Sequence, residues 1–302
     1  MPHALFAEGS EALGAFARAV DESEIDRVWV GDHVSFRGGQ GYDGLLQSMA
    51  LVALTRRVTV QTAVYLLPLR HPVPVARQVA SVAQLGPGRF IFGVGVGGDD
   101  PEEVRSCGVD PATRGRRADE ALTVVRRLLE GDAVTHHGSF FHLDGVRVLP
   151  APRPAVPIVA GGRSDRALER AGRLSDGWLG VFVDPDRFRA GIRAVERAAS
   201  SSGRHDVGWR HGLLAWCGFG ASAADARLRL APAMEDLYRQ PFERFARYAP
   251  AGTPEEVAAA LHPYVAAGAS SLLLAAVAGT TDEVVDGVAR VRAQLRLRRE
   301  RE

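Results

Sequence analysis

The chain has 302 residues, of which 46% are hydrophobic and 24% are charged, the proportions of an ordinary globular protein. Its formal net charge is +1, so no charge excess points to nucleic acid or to a membrane surface as a partner. All 37 basic residues are arginine, and the lack of lysine excludes Schiff-base aldolase chemistry, covalent pyridoxal phosphate and a Walker-type phosphate lysine.

Short apolar runs alternate with amphipathic stretches along the chain. The runs predict strands at Ala4–Ala7, Arg27–Asp32, Val58–Leu67, Arg89–Gly95, Val156–Gly161, Gly177–Val183, Leu213–Phe219 and Ser270–Val277. Apolar residues at i, i+3 and i+4 predict helices at Ala12–Val20, Leu45–Leu54, Val75–Leu85, Arg117–Leu129, Ser164–Leu174, Pro185–Ala199, Pro254–Ala267 and Thr281–Leu297. This alternation predicts a (β/α)8 TIM barrel in one domain spanning residues 1–302, with a doubly wound open sheet as the alternative.

Two stretches are longer than a minimal barrel needs. Gly98–Ala155 follows the fourth predicted strand and contains Ala133–Leu149, which alternates like a β-hairpin. Ala221–Ala251 follows the seventh predicted strand. Because the loops after the strands build the site of a parallel barrel, we expect both insertions to contribute substrate walls.

The cysteines and the N-terminus narrow the class of protein further. Cys107 and Cys217 have neither the spacing of a disulfide framework nor that of a zinc site, and no metal site is predicted. Residues 1–7 lack a basic segment followed by an apolar one, and no apolar run approaches the length of a membrane span. We therefore expect a cytoplasmic protein without membrane or nucleic-acid partners.

An acidic residue and a histidine stand together at the end of the second predicted strand. In a parallel barrel this position places Asp32 and His33 on the catalytic face. Histidine is the side chain best suited to transfer a proton near neutral pH, and aspartate can orient a ring or accept from a cofactor N–H. The alternative interpretation is that Asp32 caps the following loop and that His33 only packs.

Glycines follow the fourth and fifth predicted strands. The run from Gly93 to Gly98 includes Gly95 and Gly97, and it leaves the backbone accessible to a planar or phosphorylated ligand. After the fifth strand, the sequence Gly161-Gly162-Arg163-Ser164 opens a helix, which suits a phosphate cradle. In both places a tight turn is the alternative, with Ser164 as a helix N-cap in the second.

The remaining polar residues near strand ends have simpler interpretations. Arg70 and His71 follow the third strand and could face the site, but Pro68 and Pro72 mark a loop whose polar residues usually face water. The histidines at 136, 137 and 142 follow the alternation of the predicted hairpin, which explains them better than metal ligation does.

In their order along the chain, these motifs resemble the bacterial-luciferase-like superfamily of flavin- and deazaflavin-dependent oxidoreductases. The resemblance extends from about Ile25 to Leu274. The stretches that carry it are WVGDHV, TAVYLLPLRHPVPVARQVASV, GRFIFGVGVGG, RGRRADEALTVVRRLLEG, HGSFFHLDGVRVLPAPRPAVPIVAGG, RLSDGWLG and GTPEEVAAALHPYVAAGASSLLL.

The resemblance implies a commonly dimeric barrel with an isoalloxazine-type ring over the C-terminal strand ends. The Asp-His pair is more similar to the branch that uses coenzyme F420 than to relatives that use FMN, which often carry Glu-His-His. By the same resemblance, Asp32 contacts the edge of the ring, His33 transfers the proton, and a non-proline cis peptide falls at Ala63–Val64. The implied phosphate contacts are at Gly97, Gly98, Gly161 and Gly162, with Gly95 and Arg163 as further cofactor-binding residues.

The chain also departs from the family's sugar-phosphate dehydrogenases. Gly98 stands where they have a glutamate after the strand-four glycines, and Ser35, Phe36 and Arg37 stand where they have a tryptophan. These differences argue against glucose 6-phosphate as the substrate.

The function expected is hydride transfer between coenzyme F420 and a small organic substrate. The alternatives are an FMN-dependent luciferase-like monooxygenase, a barrel isomerase or lyase that binds a phosphate ligand without redox chemistry, and a flavin-binding protein without catalytic activity.

Overall fold

A computed structural model describes residues 4–98 and 100–299. The strands are β1 (Arg27–Val30), β2 (Thr59–Thr62), β3 (Tyr65–Leu66), β4 (Phe90–Gly95), β5 (Val134–His137), β6 (His142–Val146), β7 (Ile158–Gly161), β8 (Gly177–Val181), β9 (Gly212–Phe219), β10 (Ala251–Gly252) and β11 (Ser271–Val277). The α-helices are α1 (Ala4–Ala7), α2 (Ser10–Glu22), α3 (Gly44–Leu54), α4 (Pro72–Leu85), α5 (Pro101–Ser106), α6 (Arg114–Glu130), α7 (Asp165–Leu174), α8 (Pro185–Ser201), α9 (Ala223–Tyr238), α10 (Pro254–Ala266) and α11 (Thr281–Arg299).

The predicted parallel α/β barrel is confirmed. Its hydrogen-bonded order is β1-β2-β4-β7-β8-β9-β11, all parallel, with β3 continuing β2 against β4 and β10 pairing with the end of β9. Within the described residues no ladder joins β11 to β1, so the barrel is nearly but not fully closed. A groove of about 410 Å³ lies between these two strands.

The first predicted strand is wrong, because Ala4–Ala7 forms the short helix α1. Alanine and leucine favour helix, and Leu5 packs into the main core together with Leu13 and Phe16 of α2. The barrel therefore has seven principal strands where the sequence predicts eight.

The register brings the functional ends of the strands to one edge of the sheet. Val30 pairs with Thr62, and Val94 pairs with Ala160. Since parallel strands end at the same edge, the residues that follow these positions on each strand lie close together.

The two predicted insertions are present, after β4 and after β9. In the first, β5 and β6 form the predicted antiparallel hairpin, with a register irregularity between Val134 and His136. The second contains α9 and two 3-10 turns, Phe242–Arg244 and Ala246–Tyr248. No helix in the described part of the chain is long and apolar enough to cross a membrane.

Candidate active site

A cavity of about 280 Å³ opens at the carboxyl ends of the barrel strands. Its lining combines residues from β1, β3, β4, β7 and β9, the segment between β2 and β3, the loops after the strands, and both insertions. The lining residues are Trp29, Gly31, Asp32, His33, Phe36, Ala63, Val64, Leu66, Gly95, Val96, Gly97, Gly98, Asp100, Glu103, Gly161, Gly162, Leu214, Trp216, Leu237 and Tyr238. The structure thus brings together every cofactor-binding or catalytic residue expected from the sequence except Arg163.

Asp32 is buried and both of its carboxylate oxygens are engaged. Oδ1 accepts from the Gly44 N–H at 2.8 Å and from Nη2 of Arg70 at 2.9 Å. Oδ2 accepts from the Leu66 N–H at 2.8 Å and from Nη1 of Arg70 at 2.6 Å. Burial raises the pKa of Asp32 above its usual value, and the Arg70 guanidinium opposes that rise. The four hydrogen bonds donated to its oxygens favour the ionised form and so act against the effect of burial.

Arg70 does not face water as the flanking prolines suggested. Its guanidinium also contacts Oδ2 of Asp43 at 3.0 Å and lies 4.3 Å from the ring centroid of Tyr65. Asp43 in turn caps α3 by accepting from the N–H groups of Leu45 and Leu46. This network ties the end of β1, strand β3 and helix α3 together beside the cavity.

His33 is paired with a glutamate that the sequence interpretation missed. Its Nδ1 lies 3.0 Å from Oε2 of Glu103, and its ring stacks on Phe36 with centroids 4.1 Å apart. Because a carboxylate only accepts, Nδ1 carries the hydrogen and donates it, which leaves Nε2 for another partner. Within the described residues, Nε2 of His33 has no hydrogen-bond partner.

Glu103 is buried and also fixes the loop that carries His33. Its Oε1 accepts from the N–H groups of Val34 at 2.7 Å and Ser35 at 3.2 Å. Asp100, the N-cap of α5, accepts from the Arg37 N–H at 2.7 Å. In the sequence, Glu103 stands three residues after this cap, where a glutamate normally indicates a capping box. Only its hydrogen bonds with His33, Val34 and Ser35 show that Glu103 fixes the loop after β1 and does not cap α5.

Val64 occupies the space that two glycines leave. The Ala63–Val64 peptide is cis, as the resemblance implied. A Cβ on Gly95 would lie 2.3 Å from Cγ2 of Val64, and one on Gly161 would lie 3.0 Å from its Cγ1. These two glycines therefore admit the Val64 side chain, which presents an apolar surface to the cavity.

The other glycines of the cavity lining form turns. Gly97, Gly98 and Gly162 have φ values of 70°, 151° and 128°, in the range that favours glycine. A Cβ on Gly98 would lie 3.5 Å from Nη2 of Arg114, so a guanidinium stands beside this turn. The carbonyl of Gly162 accepts from Nε1 of Trp178 at 2.7 Å, which anchors the second turn.

Arg163 is exposed and does not line the cavity; its guanidinium lies 5.9 Å from the ring centroid of Phe182. Ser164 caps α7 by accepting from the Ala167 N–H. The N-cap that the sequence offers as the alternative role of Ser164 is therefore present.

Comparison with known proteins identifies the family. A family model described as luciferase-like monooxygenase matches residues 7–298. An F420-dependent glucose-6-phosphate dehydrogenase of Kineococcus radiotolerans is 34% identical over 184 residues, which cover 58% of this chain and 52% of the relative. The 4-hydroxyprotoasukamycin monooxygenase of Streptomyces nodosus subsp. asukaensis is 33% identical over 200 residues, covering 65% and 53% respectively. The chain thus spans about half the length of these curated relatives.

Solved structures support the same fold. An F420-dependent secondary alcohol dehydrogenase in complex with an F420-acetone adduct superposes with a TM-score of 0.80 over 94% of this chain and 94% of the other. The two sequences are 23% identical, so this similarity establishes the barrel and not the substrate.

Proposed function

Because the chain belongs to the luciferase-like monooxygenase family, we propose that it is an F420-dependent oxidoreductase that transfers a hydride between the deazaflavin and a small organic substrate. The observation that carries the proposal is the His33–Glu103 pair, with its 3.0 Å contact, at the edge of a cavity lined by Val64 and by glycine turns. The F420-dependent relatives add support for the cofactor.

The cavity suits a flat ring with a phosphate-bearing tail. Val64 and Leu66 supply apolar surface for the ring, and the positive-φ turns at Gly97, Gly98 and Gly162 expose backbone for the tail. Arg114 beside Gly98 adds a positive charge where a phosphate would lie. We assign the ring contact to Ala63 and Val64, and the tail contacts to these turns.

The roles expected of Asp32 and His33 differ in kind. When bound, the deazaflavin supplies or accepts a hydride at a ring carbon. Asp32, whose oxygens are engaged by Arg70 and two backbone N–H groups, positions the cavity wall rather than presenting a vacant acceptor. His33 donates or accepts the accompanying proton at Nε2, while Glu103 holds its ring through Nδ1. The apolar lining excludes water from the transfer.

The direct test is single-turnover hydride transfer by a His33→Ala variant saturated with F420. We expect the rate to fall by about 10²–10⁴-fold, the usual contribution of a positioned acid or base, while F420 binding persists. Unchanged hydride transfer with bound cofactor would remove His33 from the mechanism.

An FMN-dependent monooxygenase is the second candidate, favoured by the 33% identical monooxygenase. It predicts oxygen consumption with reduced FMN, whereas the F420 proposal predicts turnover without oxygen.

We also propose that residues 1–302 act as one catalytic domain in a cytoplasmic homodimer. The dimer is supported by the exposed apolar residues of α3, where Leu46 and Leu54 are 70% and 45% exposed.

A further inference from the structure

The seam between β1 and β11 leaves two strand edges of the barrel without a ladder. Strands β2, β4, β7, β8 and β9 each pair with a neighbour on both edges. In the part of the chain that the structure describes, β1 and β11 each pair on one edge. A strand edge of this kind presents a row of N–H and C=O groups to which another strand can pair.

The main-chain groups of β1 that face the seam follow from its pairing with β2. The carbonyl of Val30 accepts from the N–H of Ala63, so the main chain of Val30 points toward β2. Successive residues of a strand direct their main-chain groups to opposite edges. The N–H and C=O groups of Arg27 and Trp29 therefore point into the seam.

The edge of β11 is oriented by a contact across the seam. The carbonyl of Leu274 accepts from Nε1 of Trp29 at 2.9 Å, so the main chain of Leu274 points toward β1. Leu272 stands two residues earlier on the same strand and points the same way. An indole ring thus reaches across the seam where a neighbouring main chain would lie in a closed barrel.

A groove of about 410 Å³ follows the seam and is lined mainly by apolar side chains. Phe16 and Val20 of α2 form one wall, and Val284, Val288 and Leu295 of α11 form the other. A strand seated between β1 and β11 would be covered by the barrel interior on one face and by these helices on the other. The groove therefore suits a strand that is apolar on both faces.

The main-chain groups in the seam distinguish a polypeptide from a purely apolar ligand. An alkyl chain would fill the apolar space, but it would bury the N–H and C=O groups of Arg27, Trp29 and Leu272 without giving them partners. An extended polypeptide fills the same space and also supplies acceptors and donors on both of its edges.

The end of the groove at the start of β1 carries an excess of positive charge. Arg27, Arg292 and Arg296 line it, and the carboxylates that pair with the last two are Glu24 and Asp26. A strand parallel to β1 begins at this end. Acidic residues that precede its apolar run would therefore meet the positive charge.

We propose that the seam is a docking site for one β-strand of a partner polypeptide, which lies parallel to β1 and β11 and completes an eight-stranded barrel. The docking strand has about five to seven apolar residues, since β11 has seven, and acidic residues precede them. An N–H of this strand takes the place of the Trp29 indole at the Leu274 carbonyl. The segment Ala4–Ala7 is not the occupant, because it forms α1 and packs into the main core.

The test measures binding of a synthetic probe peptide to the full chain by fluorescence anisotropy. The probe peptide has the sequence Glu-Glu-Val-Ile-Val-Ala-Val-Val-Ser and carries fluorescein at its carboxyl end. We expect saturable binding. A peptide with N-methyl groups on alternate residues keeps the side chains but loses the donors of one edge, so it should bind about tenfold more weakly or worse. Replacing both glutamates by arginine should also weaken binding.

Hydrogen exchange locates the bound peptide. The amides of Trp29 and Leu272 face the seam, so the probe peptide should slow their exchange. Strand β7 already pairs on both edges, and its exchange should not change.

A substitution that fills the groove provides the matched variant. Val288→Trp places a bulky ring in the groove and should weaken binding of the probe peptide by about tenfold or more. Ala293→Trp on the same helix is the control, because Ala293 is exposed and does not line the groove.

The outcomes that overturn the inference are specific. They are the absence of saturable binding, equal affinity for the N-methylated or the arginine peptide, and protection outside β1 and β11. Undiminished binding by a folded Val288→Trp variant would overturn it as well, and the peptide comparisons decide the matter if that variant does not fold. These measurements do not involve F420, so they are independent of the proposed function.

Discussion

At the scale of single residues, the site depends on two carboxylates with distinct partners. Asp32 accepts from a guanidinium and two backbone N–H groups, so its carboxylate connects the end of β1 to β3 and to the start of α3. Glu103 faces an imidazole and two backbone N–H groups, so its charge orients the side chain that is proposed to transfer the proton. The adjacent Asp-His pair visible in the sequence is therefore divided between two networks.

The role of Glu103 as a positioning residue predicts a specific kinetic defect. Glu103→Gln keeps the shape of the side chain but turns one carboxylate oxygen into an NH2 donor, so one remaining oxygen cannot serve both Nδ1–H of His33 and the N–H groups of Val34 and Ser35. We therefore expect kcat to fall by about tenfold or more. KM and the Kd for F420 should change little, and Glu103→Asp should recover part of the rate.

Glu102→Gln is the matched control, because the Glu102 side chain is 78% exposed and pairs only with Arg105 among its described contacts. Equal effects of the two substitutions, or a defect confined to folding stability, would contradict a role for Glu103 in orienting His33.

At the scale of elements, the glycines after the strands divide into two groups. Gly95 and Gly161 leave room for Val64, whereas Gly97, Gly98 and Gly162 adopt turns with positive φ. The first group shapes the surface under the proposed ring and the second shapes its proposed phosphate end. The sequence pattern alone treated both groups as accessible backbone.

The space that Gly95 leaves for Val64 predicts a destabilising Gly95→Ala change, and a glycine inside helix α2 provides the contrast. Gly95→Ala places a Cβ 2.3 Å from Val64, so we expect overpacking to lower the free energy of unfolding by about 1–3 kcal/mol. Gly14→Ala in α2 meets only the Arg18 side chain at 3.6 Å and should raise it by about 0.5–1 kcal/mol. Urea denaturation measures both, and a neutral Gly95→Ala would show that Val64 has room to move.

The sequence predicts elements better than it predicts contacts between them. Periodicity locates all eight predicted helices and seven of the eight predicted strands, because alternation and helical spacing are local properties, but it does not predict α9 in the second insertion. It fails at Ala4–Ala7, where the apolar run is too short to distinguish strand from helix. It also misses Arg70 and Glu103, because their partners lie 38 and 70 residues away in the chain.

At the scale of the whole molecule, the residues that form the core and the residues that form the proposed site lie in different parts of the barrel. The core fills the barrel and the helix layer around it, while the cavity and both insertions gather at the carboxyl ends of the strands. Helix α3 is the exception, because it is apolar on nearly every side yet exposes Leu46 and Leu54. A helix of this kind is normally buried, which is why we propose that a second copy covers it.

The proposed dimer predicts that Leu46→Glu produces monomers, since a buried unpaired charge opposes association. Leu228→Glu on α9, also strongly exposed, is the control and should remain dimeric. Analytical ultracentrifugation at micromolar concentration distinguishes the two species. A monomeric wild-type protein, or a dimeric Leu46→Glu variant, would remove α3 from the interface.

The central claim is that the cavity binds a deazaflavin, and the most direct measurement is a titration of the apoprotein with F420 and, separately, with FMN. Tryptophan fluorescence is a suitable signal because Trp29 and Trp216 line the cavity. We predict saturable quenching by F420 at lower concentrations than by FMN. Tighter binding of FMN would move the function to a monooxygenase, and binding of neither would contradict a flavin-type site in this barrel.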